Sequence, residues 1–185
     1  RPASEPAAPR PATRIVEGRL AVDDLDECLA AVDSIADETG AVVQAFDASR
    51  VVDAAHLRLA TRLAARAIAR GEAVARDPAV EGLVDAAGRR QIDRALELGV
   101  SPGEQPAAVV AADFGDVSGI DREPADLEAA VTAVERLLSP EATLGDPDER
   151  AVRDYYDVTK RELDATAGGL AAVVRERVAL LDVEK

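Results

Sequence analysis

The spacing of apolar positions divides the chain into short strands and amphipathic helices. Residues 14–22 (RIVEGRLAV) alternate loosely, with Ile15, Val16 and Leu20 as apolar points, and predict a first strand. Asp23 and Asp24 then supply caps for a helix in which Leu25, Cys28, Leu29, Val32 and Ile35 recur at helical period, ending at Gly40. Residues 41–46 (AVVQAF) predict a second strand, and Asp53 caps a helix that runs to Arg70 and stops at Gly71. Two short helices follow, 78–87 and 90–98, broken at Gly88 and closed by Gly99. Residues 107–112 (AAVVAA) are apolar on both alternations, the mark of a central strand covered on both faces.

Beyond a polar loop rich in Gly and Asp, Leu127, Ala130, Val131, Val134 and Leu138 predict a helix with Pro124 in its first turn. Asp146 and Pro147 open another that reaches about Leu163. Gly168 and Gly169 predict a hinge before a helix over 170–177, and 178–183 (VALLDV) reads as a last strand. No internal repeat emerges. Strands separated by helices predict a single α+β (α/β) domain over 14–185, a sheet of about four strands covered by helices, preceded by a disordered Pro/Ala-rich tail over 1–13.

Charge changes this picture in one place. From Arg50 to Arg94 the chain carries nine arginines against six acids, while the whole chain has a formal charge of −14. Within this island Arg58, Arg62, Arg66 and Arg70 recur every fourth residue, which sets them in one stripe on the helix. Ala60, Leu63, Ala64, Ala67 and Ile68 gather roughly 160° away on the helical wheel, so the stripe is expected to face water. Like charges so placed repel one another, and a docking surface for a polyanion explains why they are kept. Arg89 and Arg90, at the expected start of a helix, extend the candidate RNA-facing surface. Gly88 and Gln91 are placed beside them, the glycine for close backbone approach and the glutamine for a base edge or ribose. A solvated helix face is the competing reading of the arginines.

Composition limits the alternatives. Arginine so far outnumbers lysine that Lys160 and Lys185 are its only lysines, asparagine is absent, and the aromatic residues are Phe46, Phe114, Tyr155 and Tyr156. This pattern fits adaptation to concentrated intracellular salt, in which acidity reports the solvent rather than the partner. Cys28 is the single cysteine and has no disulfide partner within the chain. No run approaches the ~18 apolar residues of a membrane span and the segment before Arg14 has no apolar core of a signal peptide, so a soluble cytoplasmic protein is expected.

Catalytic motifs are missing. The sequence has no Walker-type loop, no dinucleotide fingerprint and no nucleophile elbow, and one histidine with one cysteine makes no usual zinc site. No catalytic residue, metal or cofactor is therefore expected. Asp23/Asp24 and Asp148/Glu149 stand at helix starts as caps. His56 is read as a first-turn packing residue or an RNA contact, and Tyr155 and Tyr156 as core packing, with one ring exposed. Leu170, Val173 and Val174 recur at i, i+3, i+4 beside the di-glycine, a spacing that suits either a partner surface or the core.

The run HLRLATRLAARAIARGEAVARDPAVEGLVDAAGRRQIDRALELGV carries His56-Leu57, a small-residue register, Glu81 opening a second helix, Gly88, Gln91-Ile92 and Ala95. In that order and spacing it resembles the smallest core subunit of KEOPS, the complex that installs threonylcarbamoyladenosine in tRNA, a family that includes the PRPK-binding protein. The segments DVTKREL (157–163) and RERVALLDVEK (175–185) match the family's closing elements, so the resemblance spans about 14–185 except the loop 114–123. With its salt-adapted composition the chain looks like a haloarchaeal version. The resemblance implies a small, mostly antiparallel sheet covered by helices and a non-catalytic regulatory subunit. It further implies binding to the complex's small kinase-like ATPase and help in recruiting tRNA by its 3′ CCA end, with no DNA and no membrane partner. Leu170, Val173 and Val174 are then the expected kinase-binding stripe. A protein-binding adaptor that never touches RNA and an unrecognised small enzyme are the competing classes.

Overall fold

The protein is described by a computed structural model covering residues 10–184. Four strands form one sheet in the order β2-β3-β1-β4: β1 Ala12–Val22, β2 Val42–Asp47, β3 Gly103–Asp113 and β4 Ser139–Pro140. All pairings are antiparallel. Eight α-helices among the described residues cover it: α1 Leu25–Thr39, α2 Ala54–Arg70, α3 Pro78–Ala87, α4 Ile92–Leu96, α5 Leu127–Glu135, α6 Glu149–Tyr155, α7 Lys160–Ala165 and α8 Gly169–Glu184. The fold class is thus α+β, as the pattern of strands and helices implies.

Side-chain alternation along the strands explains the layering. On one face Val43, Ala45, Val109 and Ala111 pack against Val32 and Ile35 of α1 and Ala130 and Val134 of α5. On the other, Phe46, Ala108 and Val110 meet Leu57 and Ala60 of α2, the inner side of α3 and the buried stripe of α8. β3 lies between β2 and β1 and is apolar toward both layers, which is why its sequence reads as a continuous apolar run.

Three sequence expectations are corrected. Residues 178–183 are not a strand; they complete α8. The β-branched run suggests extension, but burial follows the helical period, with Val174, Val178 and Leu181 inside. The fourth strand is instead Ser139–Pro140, which pairs with Gly18 and Arg19. Gly18 makes that pairing possible, since a Cβ there would lie 2.6 Å from the Ser139 carbonyl oxygen. The helix expected from Asp146 to Leu163 divides into α6 and α7 around Asp157, which has φ 53. Thr159 and Glu162 restart the helix with a reciprocal capping box. Of the expected tail, residues 1–9 lie outside the described residues, while Ala12 and Thr13 already belong to β1.

Candidate functional site

α2 sets the arginine stripe in place. The Asp53 carboxylate accepts the His56 N–H at 2.8 Å to open the helix, and Gly71 closes it in the left-handed conformation. With Leu57, Ala60, Ala64 and Ala67 buried, the opposite side carries Arg58 and Arg62 toward the beginning of β1. There they line a groove of about 510 Å³ together with Arg10, Thr13, Leu59 and Arg175 of α8. Among the described residues four arginines line this groove and no acidic residue does. Arg58 donates weakly to the Thr13 carbonyl at 3.5 Å, whereas Arg175 is held from behind by Asp53 at 2.7 Å. The Nε of Arg62 is buried without an acceptor among the described residues. Sequence reasoning found Arg58 and Arg62 but missed Arg10 and Arg175, because neither belongs to the local island and only the docking of α8 brings Arg175 across.

The stripe does not face water along its whole length. Arg58 and Arg70 are exposed, but Arg66 is half-buried and lies 3.5 Å from the Asp182 carboxylate on α8. The second group of expected RNA contacts has structural duties. Arg89 donates to the Tyr155 carbonyl and, at 3.0 Å, to the Asp157 carboxylate, and its guanidinium lies 5.3 Å from the Tyr155 ring centroid. Together with Arg177, which donates to the Tyr156 and Asp157 carbonyls, it holds the turn between α6 and α7. Gly88 does allow a close backbone approach, but to α8: a Cβ on it would lie 3.1 Å from the Arg177 carbonyl carbon. Arg90 is exposed and donates to the Glu184 carbonyl at 3.1 Å, and Gln91 is exposed before α4. Arg90 and Arg66 are therefore both tied to the last turn of α8.

The stripe expected to bind a partner is occupied. Val173 and Val174 are buried in the core and Leu170 packs against it, so these side chains fasten α8 to the domain. α8 shows its large apolar side chains elsewhere, at Leu180 and Val183, and α4 exposes Ile92 and Leu96. A helical wheel drawn without knowledge of the docking direction could not tell the inner stripe from the outer one.

Titratable groups in the interior serve packing. His56 is fully buried, and desolvation pushes its pKa below the ordinary value. It makes no contact available to RNA. Tyr155 and Tyr156 are both buried, against the expectation that one ring would be exposed; burial pushes the Tyr155 phenol up to about 12. Cys28 is half-buried beside α5, and Asp24 and Asp148 cap α1 and α6 as their positions predict. Among the described residues no group of three His, Cys, Asp or Glu side chains is placed to hold a metal, and no helix is long and apolar enough to cross a membrane.

No curated protein matches the chain. The sequence model of the kinase binding protein CGI-121 family matches residues 24–182, and the chain belongs to that family.

Proposed function

We propose that this kinase-binding family member is a non-catalytic accessory subunit of the KEOPS tRNA-modification complex. In this reading it binds the small kinase-like ATPase of that complex and helps recruit tRNA by its single-stranded 3′ CCA end. Family membership supports the kinase partner. The observation that carries the RNA half is the groove bordered by Arg10, Arg58, Arg62 and Arg175. In a chain of formal charge −14, four arginines with no acidic residue among the described lining residues, one of them paired with Asp53 behind the groove, make a local site for phosphates. Guanidinium planes also offer a stacking surface where aromatic rings are lacking. Attraction of this kind is strongly salt-dependent, each phosphate contact on a single strand contributing roughly 0.7 to the log–log slope. The acidic remainder suits a cytoplasm rich in salt.

The test compares intact tRNA with tRNA trimmed of its CCA at matched salt, using the wild type and the Arg58→Glu, Arg62→Glu double variant. The wild type should prefer the intact tRNA and the double variant should lose that preference. Equal binding of both RNAs, or indifference to the double substitution, would leave a protein-binding adaptor that does not touch RNA. Non-catalysis is checked by incubating the purified chain with ATP, threonine, bicarbonate and tRNA, where product formed by this chain alone overturns the accessory role.

A further inference from the structure

The last turn of α8 stands between the two sets of arginines. Arg66 follows one helical turn after the groove-lining Arg62, and the Asp182 carboxylate approaches its Nη1 from α8. Beyond Asp182, the Glu184 carbonyl accepts from Arg90. Among the described residues three arginine–carboxylate pairs fasten α8, and they differ in kind. Arg175 to Asp53 at 2.7 Å and Arg177 to Glu162 at 2.9 Å are hydrogen-bonded contacts. Arg66 to Asp182, at 3.5 Å, is longer than the about 2.7–2.9 Å of a charge-assisted hydrogen bond, and the Arg66 Nε is buried with no acceptor among the described residues. The Arg66 guanidinium is thus held by charge but not saturated. Asp182 is also well shielded, at 12% side-chain exposure, so its charge acts on Arg66 with little screening from solvent. Anchoring of α8 does not depend on this pair, because Val174, Val178 and Leu181 fix the same length of helix in the core.

We infer that Asp182 is an intramolecular competitor for RNA, holding Arg66 in the free protein and yielding it when the phosphate of a bound strand passes from the groove toward the end of α8. This rests on the RNA reading of the groove. A phosphodiester presents two non-bridging oxygens that share one negative charge, and it can take up the exposed part of the Arg66 guanidinium, which Asp182 meets only at 3.5 Å. Until it is displaced, the carboxylate repels the incoming phosphate and occupies its partner. Asp182 therefore lowers affinity and favours a strand that reaches beyond Arg62 over a short anion that stops within the groove.

The experiment measures binding of a labelled single-stranded oligoribonucleotide ending in CCA to the full chain at fixed salt. Asp182→Asn keeps the shape and removes the charge; Glu184→Gln, on the same helix turn, controls for net charge. Asp182→Asn should bind about three- to tenfold more tightly, the scale of one partly buried charge pair, and clearly more tightly than Glu184→Gln. In an Arg66→Ala background the gain from Asp182→Asn should shrink to that of the control. Gain equal to the control, or gain that survives Arg66→Ala, overturns the competitor role while leaving the groove intact. Failure of the wild type and every variant to bind the oligoribonucleotide overturns the groove reading and the competitor with it. Circular dichroism verifies that α8 stays folded, and Asp182→Ser asks the same question if the asparagine variant does not fold.

Discussion

His56 and Ala86, thirty positions apart, meet through a 2.7 Å hydrogen bond from the imidazole Nε2 to the alanine carbonyl, which ties the start of α2 to the end of α3. The Nδ1 of the same ring accepts the Val52 N–H at 3.4 Å, so the neutral ring with its proton on Nε2 satisfies both sides. Tyr156 donates to the same Ala86 carbonyl at 3.0 Å. A second proton would set an Nδ1–H against the Val52 N–H inside the core, on a ring that is fully buried.

Acid should therefore weaken the fold through His56. Its folded pKa is lowered by burial, so the unfolded chain takes up the proton first, near the ordinary value of about 6.5. The neutral ring's contribution is complete above that pH and is lost as pH falls through the lowered folded pKa. Urea unfolding midpoints at several pH values between 7.5 and 5 should decline more steeply for the wild type than for His56→Gln. Parallel curves would assign the pH dependence to other groups.

Two glycines, one within α3 and one capping its end, should respond in opposite directions to alanine. A Cβ on Gly82, inside the helix, meets nothing within 4 Å, so Gly82→Ala should stabilise by about 0.5–1 kcal/mol through reduced freedom of the unfolded chain. Gly88 has φ 61, and its Cβ would press on the Arg177 backbone. Gly88→Ala should cost about 1–2 kcal/mol in backbone strain alone and loosen α8. Thermal midpoints should move by about 2–4 °C per kcal/mol, upward for the first and downward for the second. A rise for Gly88→Ala would mean that α8 does not depend on this contact.

The contrast between Gly88 and the arginines shows what sequence can reveal. Helix caps, the span of α2 and the central place of β3 follow from local chemistry, since Asp53, Gly71 and an apolar run act on their neighbours. The destiny of α8 does not. Val173, Val178 and Leu181 suit a strand, a partner surface or a core stripe, and only packing against α2 and α3 selects the last. Arg89 likewise has the right charge for RNA, but Tyr155 and Asp157, more than sixty residues away, determine its role. The candidate groove was half legible: its two α2 members share one period, while Arg10 and Arg175 arrive from separate elements.

Partner binding should depend on the outer face of α8. Val183 is 81% exposed and Leu180 51%, so Asp at both positions should leave the fold intact. Their loss should weaken capture of the kinase-like ATPase at least tenfold, on the scale of truncating a central apolar contact. Val173→Asp, 3% exposed, should instead unfold the domain by placing an unpaired charge in its core. Pull-down and circular dichroism on the same samples separate the two effects. Unchanged capture by the Leu180→Asp, Val183→Asp variant would move the kinase surface away from this helix face.

Arg58 and Arg89 should separate RNA binding from folding. Arg58 is exposed at the groove and donates only weakly, to the Thr13 carbonyl, so Arg58→Ala should leave stability within about 0.5 kcal/mol. It should also flatten the salt dependence of RNA binding by roughly 0.7 in log–log slope, and Arg62→Ala should flatten it by a similar amount. Arg89→Ala removes the donor to Tyr155 and Asp157 and a guanidinium over a buried ring, a loss of about 2 kcal/mol. Its salt slope should match the wild type, because a side chain bound at the α6–α7 turn has no phosphate contact to lose. The diagnostic comparison is between slopes rather than affinities, since a destabilised variant binds less without changing the number of ions released. A flatter slope for Arg89→Ala and an unchanged one for Arg58→Ala would transfer the RNA surface from α2 to the loop that follows Gly88.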